Sequence, residues 1–331
     1  MHWRSRPYSV LLLLLLFSAG PAPRAVSGNQ PADPLRGGKQ PETKFSGEEV
    51  SVGYVLVPVI VRSSSGGYAN RLEKKDFRLL VDGAPAPIES FEKRAEAPTS
   101  ILFLQDLSGS MGTGGKLEES RRAVRYFLDR SLSGDEFAIA SFAGGKFSVG
   151  VPFTPDLGTL RTAVDGFRAY GTTALNDAVA WMPEAGAAGK NPKRFAILIT
   201  DGVDNASTIS PEEARDIVRR AELPVYVLGL EAGNPFELGT DGKKIYRYAD
   251  VLNLLAHETG GRYYPLSNPD ELGKALAAIV EDLRHEYVLG FATGGGQSRY
   301  RDLKVEVAGR NRSVLFRRGY KGPPPNSTRG G

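Results

Sequence analysis

The chain has 331 residues, of which 41% are hydrophobic and 24% are charged, and this is the composition of an ordinary globular protein. The formal net charge is only +4, and part of it lies near each end of the chain, so we expect no nucleic-acid-binding surface. The chain contains no cysteine, which excludes disulfide bonds, thiolate metal sites and a lipid anchor on cysteine.

The first 27 residues have the three-part pattern of a secretory signal peptide. A basic start is followed by an apolar run from Val10 to Phe17 and by small residues, with Ala25-x-Ser27 as a cleavage site before Gly28. The apolar run is too short to span a bilayer comfortably, and no second long apolar segment follows. We therefore expect an exported mature chain, periplasmic or secreted, without a transmembrane segment.

Composition divides the rest of the chain into five segments. Residues 28–48 are rich in Pro, Gly and polar residues and are predicted to be a flexible linker, and residues 321–331 a disordered tail. Residues 49–97 and 286–320 each contain three runs typical of short strands. Residues 98–285 alternate strands with helices, which predicts a mostly parallel sheet covered on both faces. We favour one β-sandwich built from both ends, with the α/β domain inserted in it, over two separate three-stranded units.

Several helices of the α/β segment have specific sequence signals. Ser210 stands before a proline and two acidic residues, which predicts a helix start. Trp181, in the sequence "TALNDAVAWMPEAG", is predicted to lie in the core. The last helix has a predicted core-facing stripe of four apolar residues at helical spacing, namely Leu272, Leu276, Ile279 and Leu283.

Hydroxyl and carboxylate oxygens follow three separate elements of the α/β segment. Asp106 ends the strand "SILFLQD", Ser108 and Ser110 follow on the next turn, Asp201 ends the strand "RFAILIT", and Thr173 precedes a helix. Because ligands of an open parallel sheet gather at the C-terminal ends of the strands, we expect these oxygens to lie together. Two close carboxylates repel each other unless a cation neutralises them, and such oxygen ligands suit Mg²⁺ or Mn²⁺. The alternative is that these residues only cap helices.

The three segments together resemble a von Willebrand factor type A (VWA) domain with an intact metal-ion-dependent adhesion site. The resemblance rests on Asp-x-Ser-x-Ser at residues 106–110, on a Thr before a helix and on Asp-Gly after a hydrophobic strand, and it covers roughly residues 50–320. The wider layout resembles the VWFA-related family described mainly from acidobacteria. One departure is Leu107, where a small or polar residue is more usual, and we expect its side chain to face away from the metal.

The resemblance implies a Rossmann-like, doubly wound α/β sheet that carries a divalent cation. Mg²⁺ is the first choice, with Mn²⁺ and Ca²⁺ as alternatives. The implied ligands, acting directly or through water, are Asp106, Ser108, Ser110, Thr173 and Asp201.

In this family a carboxylate from a partner protein completes the metal's coordination shell. The resemblance therefore implies a protein-docking device for adhesion or scaffolding, with a Glu or Asp of the partner as the ligand, rather than an enzyme. The second reading is a permanent structural or regulatory subunit of a cell-envelope complex, and the third is a metal-dependent hydrolase. The oligomeric state stays open. A movement of the C-terminal helix, residues 269–284, on binding is a hypothesis.

No catalytic motif stands out in the sequence. "GSMGTGGK" departs from a phosphate-binding loop at Ser110, where a glycine is required, and at Leu117, where Ser or Thr is required. His257 and His285, the histidines beyond the signal segment, have no Gly-x-Ser-x-Gly motif near them. The long connection "EAGNPFELGTDGKKIYRYAD" is the segment that we expect to select a partner.

Overall fold

The computed structural model describes residues 53–63, 67–220, 223–235, 247–293 and 299–322. The predicted signal peptide, the predicted linker, nearly all of the predicted tail and most of the long connection lie outside these residues. Fourteen strands and six α-helices occur among the described residues. The strands are β1 (Gly53–Ser63), β2 (Phe77–Val81), β3 (Ala84–Ala86), β4 (Ser90–Lys93), β5 (Thr99–Asp106), β6 (Glu136–Ala143), β7 (Lys146–Thr154), β8 (Lys193–Thr200), β9 (Val225–Leu230), β10 (Tyr263–Leu266), β11 (Glu286–Thr293), β12 (Tyr300–Val307), β13 (Arg312–Phe316) and β14 (Gly319–Lys321).

The helices lie between the strands of the middle of the chain. They are α1 (Lys116–Leu128), α2 (Leu157–Asp165), α3 (Leu175–Ala187), α4 (Pro211–Val218), α5 (Arg247–Thr259) and α6 (Pro269–Arg284). The longest of them, α6, has 16 residues. Among the described residues, no helix combines the length and the apolar character that crossing a bilayer requires.

Six strands form the central sheet, in the order β10-β9-β8-β5-β6-β7. Neighbouring strands are parallel, except that β6 and β7 form an antiparallel pair at one edge. Three of the four interior strands, β5, β8 and β9, are almost completely buried, which explains their near-continuous apolar sequences. The predicted α/β fold with a mostly parallel sheet is confirmed.

Alternate residues of β5 supply two separate hydrophobic cores. Ile101 and Phe103 belong to the core that α1, α2 and α6 cover, and the predicted stripe of α6 packs there. Leu102 and Leu104 belong to the core that α3, α4 and α5 cover. Because successive side chains of a strand point to opposite faces, one short apolar run fills both layers.

Two predictions about helices have opposite outcomes. Ser210 caps α4: its Oγ accepts a hydrogen bond from the backbone N–H of Glu213 at 3.2 Å, and Glu213 Oε2 accepts one from the backbone N–H of Ser210 at 2.9 Å. The core assignment of Trp181 is wrong. Its side chain is 49% exposed and stacks on Phe147 of β7, with 5.8 Å between ring centroids, because the neighbouring residue Met182 takes the inward position on α3.

Strands from the two ends of the chain pair with each other. β1 lies between β11 and β13 in a sheet ordered β13-β1-β11-β4, and β2 pairs with β12 in a sheet ordered β14-β12-β2-β3. A single hydrophobic cluster contains residues of both sheets, among them Val57, Leu79, Leu289 and Val305. The two ends of the described chain therefore share one sandwich core, and they do not form two separate three-stranded units.

Each end contributes four strands to this sandwich instead of the predicted three. The run predicted as one strand near residues 312–320 divides into β13 and β14, because β13 pairs with β1 in one sheet and β14 pairs with β12 in the other. Arg317 lies where the chain crosses between the sheets, and its Nη2 donates to the backbone oxygen of Leu56 at 2.7 Å.

Candidate metal centre

The carboxyl ends of β5 and β8 bring Asp106 and Asp201 to one edge of the central sheet. The two strands are parallel neighbours, with Gln105 opposite Ile199 in the register. Asp106 is the last residue of β5, and Asp201 directly follows Thr200, the last residue of β8. Both carboxylates are buried. The sequence expectation that these two acids meet at a single sheet edge agrees with this register.

The side chain of Asp106 is held at both oxygens. Thr200 Oγ1 donates to Asp106 Oδ2 at 2.6 Å, and the backbone N–H of Ser108 donates to Asp106 Oδ1 at 2.9 Å. Burial, and to a lesser degree nearby Asp201, raise the pKa of Asp106 to about 6, although the hydrogen bonds from Ser108 and Thr200 oppose this rise. A cation beside this carboxylate would be favoured, because it replaces the hydration that burial removes.

Gly202 allows the chain to turn directly after Asp201. Its φ angle is +82°, which is the left-handed region, and a Cβ there would lie 3.1 Å from the Cβ of Ala232 and 3.2 Å from Leu252 Cδ1. Its N–H donates to Thr200 Oγ1 at 3.0 Å. The backbone conformation therefore explains why glycine follows Asp201, since a residue with a side chain would be strained and crowded here.

The loop after β5 carries the two serines of the motif. The Oγ atoms of Ser108 and Ser110 lie 3.2 Å apart. Leu107 and Met111 of the same loop pack into the hydrophobic core, so these apolar side chains anchor the loop. Leu107 was expected to face away from the proposed metal, and its place in the core agrees with that expectation.

Thr173 belongs to a neighbouring loop and is connected to the other segments through its backbone. Its N–H donates to Asn205 Oδ1 at 2.8 Å, and its carbonyl oxygen accepts from the N–H of Asn205 at 3.0 Å. The same loop is tied to the serine loop, where the N–H of Gly109 donates to the carbonyl oxygen of Gly171 at 3.0 Å. Thr173 is buried, whereas the adjacent Thr172 is exposed. The loops of Asp106, Thr173 and Asp201 are therefore joined into one edge.

An ammonium group, absent from the sequence prediction, also lies at this edge. Lys116, the first residue of α1, places Nζ 2.7 Å from Asp201 Oδ2 and 4.0 Å from Glu231 Oε2. The Lys116 side chain is only 10% exposed. Asp201 Oδ1 is buried and has no hydrogen-bond partner among the described residues. One oxygen of Asp201 is therefore paired with a cation, and the other is left to a further ligand.

Three residues at this edge are not among the predicted ligands, namely Lys116, Thr200 and Glu231. Lys116 belongs to a sequence that departs from a phosphate-binding loop, and its partner Asp201 lies 85 residues away in the chain. Thr200 has only the sequence pattern of a strand residue. The one available signal was its position directly before Asp-Gly, level with the end of β5.

The residues at this edge offer the chemistry of a hard-cation site. Two buried carboxylates, two adjacent serine hydroxyls and an unpartnered carboxylate oxygen are ligands that Mg²⁺ and Mn²⁺ accept. No cluster of three or more His, Cys, Asp or Glu side chains suited to a metal occurs in the part of the chain that the structure describes. A site here would therefore depend on the hydroxyl groups, and the residues present fit that requirement.

These observations define a class of protein: a doubly wound α/β domain that carries oxygen donors at the carboxyl edge of its sheet. The sequence model of the von Willebrand factor type A domain matches residues 101–203, which run from β5 to the turn after β8. The chain therefore contains a VWA domain, and the matched residues include Asp106, Thr173 and Asp201.

Two bacterial proteins are similar to this chain in sequence. A UPF0353 protein of Mycolicibacterium paratuberculosis is 26% identical over 216 residues, which are 59% of this chain and 64% of that protein. An uncharacterized protein of Borreliella burgdorferi is 22% identical over 238 residues, which are 61% of this chain and 69% of that protein. The match thus covers less than two thirds of the mycobacterial relative.

Among solved structures, the chain is similar to BatB from Bacteroides thetaiotaomicron and to a von Willebrand factor type A protein from Catenulispora acidiphila. The BatB likeness has 22% identity, covers 56% of this chain and 97% of that chain, and has a TM-score of 0.41. The Catenulispora likeness has 13% identity, covers 84% of this chain and 74% of that chain, and has a TM-score of 0.47.

Proposed function

We propose that this protein binds a divalent cation, Mg²⁺ in the first place, and uses it to dock a partner protein. The ligands would come from the three joined loops, and they are Asp106, Ser108, Ser110, Thr173 and Asp201. A bound cation supplies a positive charge and an open coordination position, which a Glu or Asp carboxylate of the partner fills. The protein would act in adhesion or scaffolding.

One observation carries this proposal. The buried Asp201 has an oxygen, Oδ1, without a hydrogen-bond partner among the described residues, and it belongs to the same sheet edge as the buried carboxylate of Asp106. Leaving such an oxygen unpaired costs about 1–3 kcal/mol or more for a charged group. A cation at this edge would remove that cost and would reduce the repulsion between the two carboxylates.

We infer that the site binds and does not catalyse. The two histidines of the described residues are engaged elsewhere. His285 stacks on Tyr68 with 4.1 Å between ring centroids, and His257 Nε2 lies 2.6 Å from Arg318 Nη2. Both oxygens of Asp106 accept hydrogen bonds, so this carboxylate is suited to holding a position rather than to moving a proton.

The proposed site of action is the periplasm or the exterior of the cell. The support is the three-part pattern of residues 1–27, which lie outside the described residues. An adhesion or scaffolding module with a carboxylate-binding site fits such a location. A permanent subunit of a cell-envelope complex would fit it equally well, and capture of a partner with and without metal separates the two.

Metal binding is tested by isothermal titration of the full chain with MnCl₂ and with MgCl₂. We expect Asp201→Asn to weaken binding by at least about tenfold. The control is Asp270→Asn, which changes an exposed acid at the start of α6 and should bind as the wild type does. Thermal unfolding checks that each variant is folded. A folded wild type that binds neither metal would contradict the proposal, and so would an Asp201→Asn variant with unchanged affinity.

Partner docking is tested by capture from a cell-envelope extract on the immobilised protein. Three conditions are compared, namely wild type with Mg²⁺, wild type with chelator, and Asp201→Asn with Mg²⁺. A reversible receptor releases its partner in the second and third conditions. A permanent subunit keeps its partner in all three, which would make the metal site a structural part. A turnover assay with Asp106→Ala as control addresses the hydrolase alternative.

A further inference from the structure

We propose that Lys116 is a built-in counter-cation of the candidate metal centre, and that its ammonium group competes with a divalent cation for the negative charge of Asp201. This inference rests on the proposed function. It assigns a role to a residue outside the proposed ligand set, since Lys116 would set how tightly the centre binds metal.

The first step is the ion pair itself. Lys116 Nζ lies 2.7 Å from Asp201 Oδ2, and the Asp201 side chain is only 4% exposed. Buried charges of one sign are costly unless a cation compensates for them, and this edge contains the two carboxylates of Asp106 and Asp201. Lys116 supplies a positive charge that compensates for them. A divalent cation at the same carboxylates would meet a positive charge already in place.

The second step is that Lys116 has a second acid within reach. Glu231 Oε2 lies 4.0 Å from Lys116 Nζ, and the Glu231 side chain is 57% exposed. Glu231 directly follows β9 and has a φ of +56°, which is uncommon for this residue type. Its N–H donates to the carbonyl oxygen of Leu266 at 2.8 Å, which fixes this backbone position. Glu231 can therefore hold the ammonium when a divalent cation bound at Asp201 repels it.

The third step is the backbone before Lys116. Gly114 and Gly115 have φ angles of +63° and +78°. A Cβ at Gly114 would lie 3.3 Å from Glu231 Oε1. Gly114 therefore allows the start of α1 to approach Glu231 closely, and both glycines adopt a backbone conformation that other residues rarely adopt. Because α1 starts close to Glu231, Lys116 lies within reach of both Asp201 and Glu231.

The main experiment measures metal affinity with and without the ammonium. The full chain, Lys116→Met and Lys274→Met are titrated with MnCl₂ and with MgCl₂ by calorimetry. Lys274→Met removes the same charge from an exposed position of α6. We expect Lys116→Met to bind at least about tenfold more tightly, because the cation no longer competes with a fixed charge. Lys274→Met should stay within about twofold of the wild type. Equal or weaker binding by a folded Lys116→Met overturns the inference.

A second measurement keeps the inference falsifiable if Lys116→Met folds poorly without metal. Glu231→Gln alters an exposed side chain and is expected to weaken metal binding by about threefold or more, since the displaced ammonium loses its second partner. In a Lys116→Met background the same substitution should have a clearly smaller effect. Equal effects in both backgrounds overturn the inference.

The outcomes also separate this inference from the proposed function. If the folded wild type binds a divalent cation and Lys116→Met binds it no better, only the role of Lys116 fails. If neither the wild type nor Lys116→Met binds Mn²⁺ or Mg²⁺, the proposed function fails and the role of Lys116 fails with it.

Discussion

Arg62 of β1 donates two hydrogen bonds to Asp282 Oδ1 of α6, from Nε at 2.9 Å and from Nη2 at 2.5 Å. Tyr68 adds a third at 2.8 Å. The Arg62 side chain is 16% exposed and that of Asp282 is completely buried. This ion pair fastens the last helix of the α/β domain to the first strand of the sandwich, across 220 residues of sequence.

We expect Arg62→Met to destabilise the fold by about 3 kcal/mol, because it removes the cation that donates hydrogen bonds to the buried Asp282. The free energy of unfolding is measured by urea titration at pH 7. The control is Arg78→Met, which breaks an exposed pair with Glu306 and should cost less than about 1 kcal/mol. Similar costs for the two variants would contradict the buried-pair argument.

A second junction predicts a pH dependence of stability. Burial raises the pKa of Glu286, the first residue of β11, to about 7, although Lys193 and Arg94 favour its charged form. Burial also lowers the pKa of Lys193. The folded state thus holds the Glu286 proton more tightly than the unfolded chain, where the pKa is about 4.5. The resulting stability is fully present below about pH 4.5 and is lost as the pH rises to about 7.

The loss from this group is on the order of 3 kcal/mol. It is measured by urea unfolding between about pH 3.5 and about pH 7.5, a range that brackets the two pKa values. Glu286→Gln should have a flatter stability profile than the wild type over this range. Glu184→Gln, at an exposed position of α3, should keep the wild-type profile. A wild-type slope that survives in Glu286→Gln would show that other groups cause it.

The fold was predictable because its main signals are local. Alternating strands and helices between residues 98 and 285 require a covered parallel sheet, and the capped start of α4 at Ser210 needs only a short stretch of sequence. The division of the C-terminal run into β13 and β14 depends instead on which distant strand each half pairs with. No local pattern in that run contains this information.

The sequence predicts the candidate site only for residues whose position follows from the order of the strands. Asp106 and Asp201 follow neighbouring parallel strands, so their meeting follows from the topology. The contact of Lys116 with Asp201 depends on side-chain direction at the start of α1. The Thr200 hydroxyl depends on the register between β8 and β5. Both are three-dimensional properties that spacing in the sequence does not contain.

Trp181 and Met182 are neighbours on α3 that differ in burial, so their substitutions can be compared. Met182 is completely buried, whereas Trp181 is half exposed. We expect Met182→Ala to cost about 3 kcal/mol, because it leaves a cavity in the core. Trp181→Ala should cost only about 1 kcal/mol, mainly the lost stacking on Phe147. Urea unfolding of both variants checks this order. A larger cost for Trp181→Ala than for Met182→Ala would contradict the exposed position of Trp181.

Thr200 and Thr159 offer a test of how burial changes the contribution of a threonine hydroxyl to stability. Each threonine Oγ1 donates to an aspartate oxygen at 2.6 Å, Thr200 to buried Asp106 and Thr159 to exposed Asp156. Thr200→Val keeps the shape but leaves the buried carboxylate short of a donor and the N–H of Gly202 without its acceptor, so we expect a cost of about 2 kcal/mol at pH 7. Thr159→Val should cost less than about 0.5 kcal/mol, because water replaces the donor.

The cost of Thr200→Val should itself depend on pH. The pKa of Asp106 is about 6 in the folded protein, so its charged form, which gains most from the donor, prevails at pH 7 but not at pH 5. Removing the Thr200 hydroxyl raises that pKa further, and the destabilisation should shrink as the pH falls from 7 to 5. Urea unfolding of Thr200→Val, Thr159→Val and the wild type, all in chelator, measures this difference. Equal costs for the two variants, or a cost for Thr200→Val that stays constant with pH, would contradict a charged Asp106 at neutral pH.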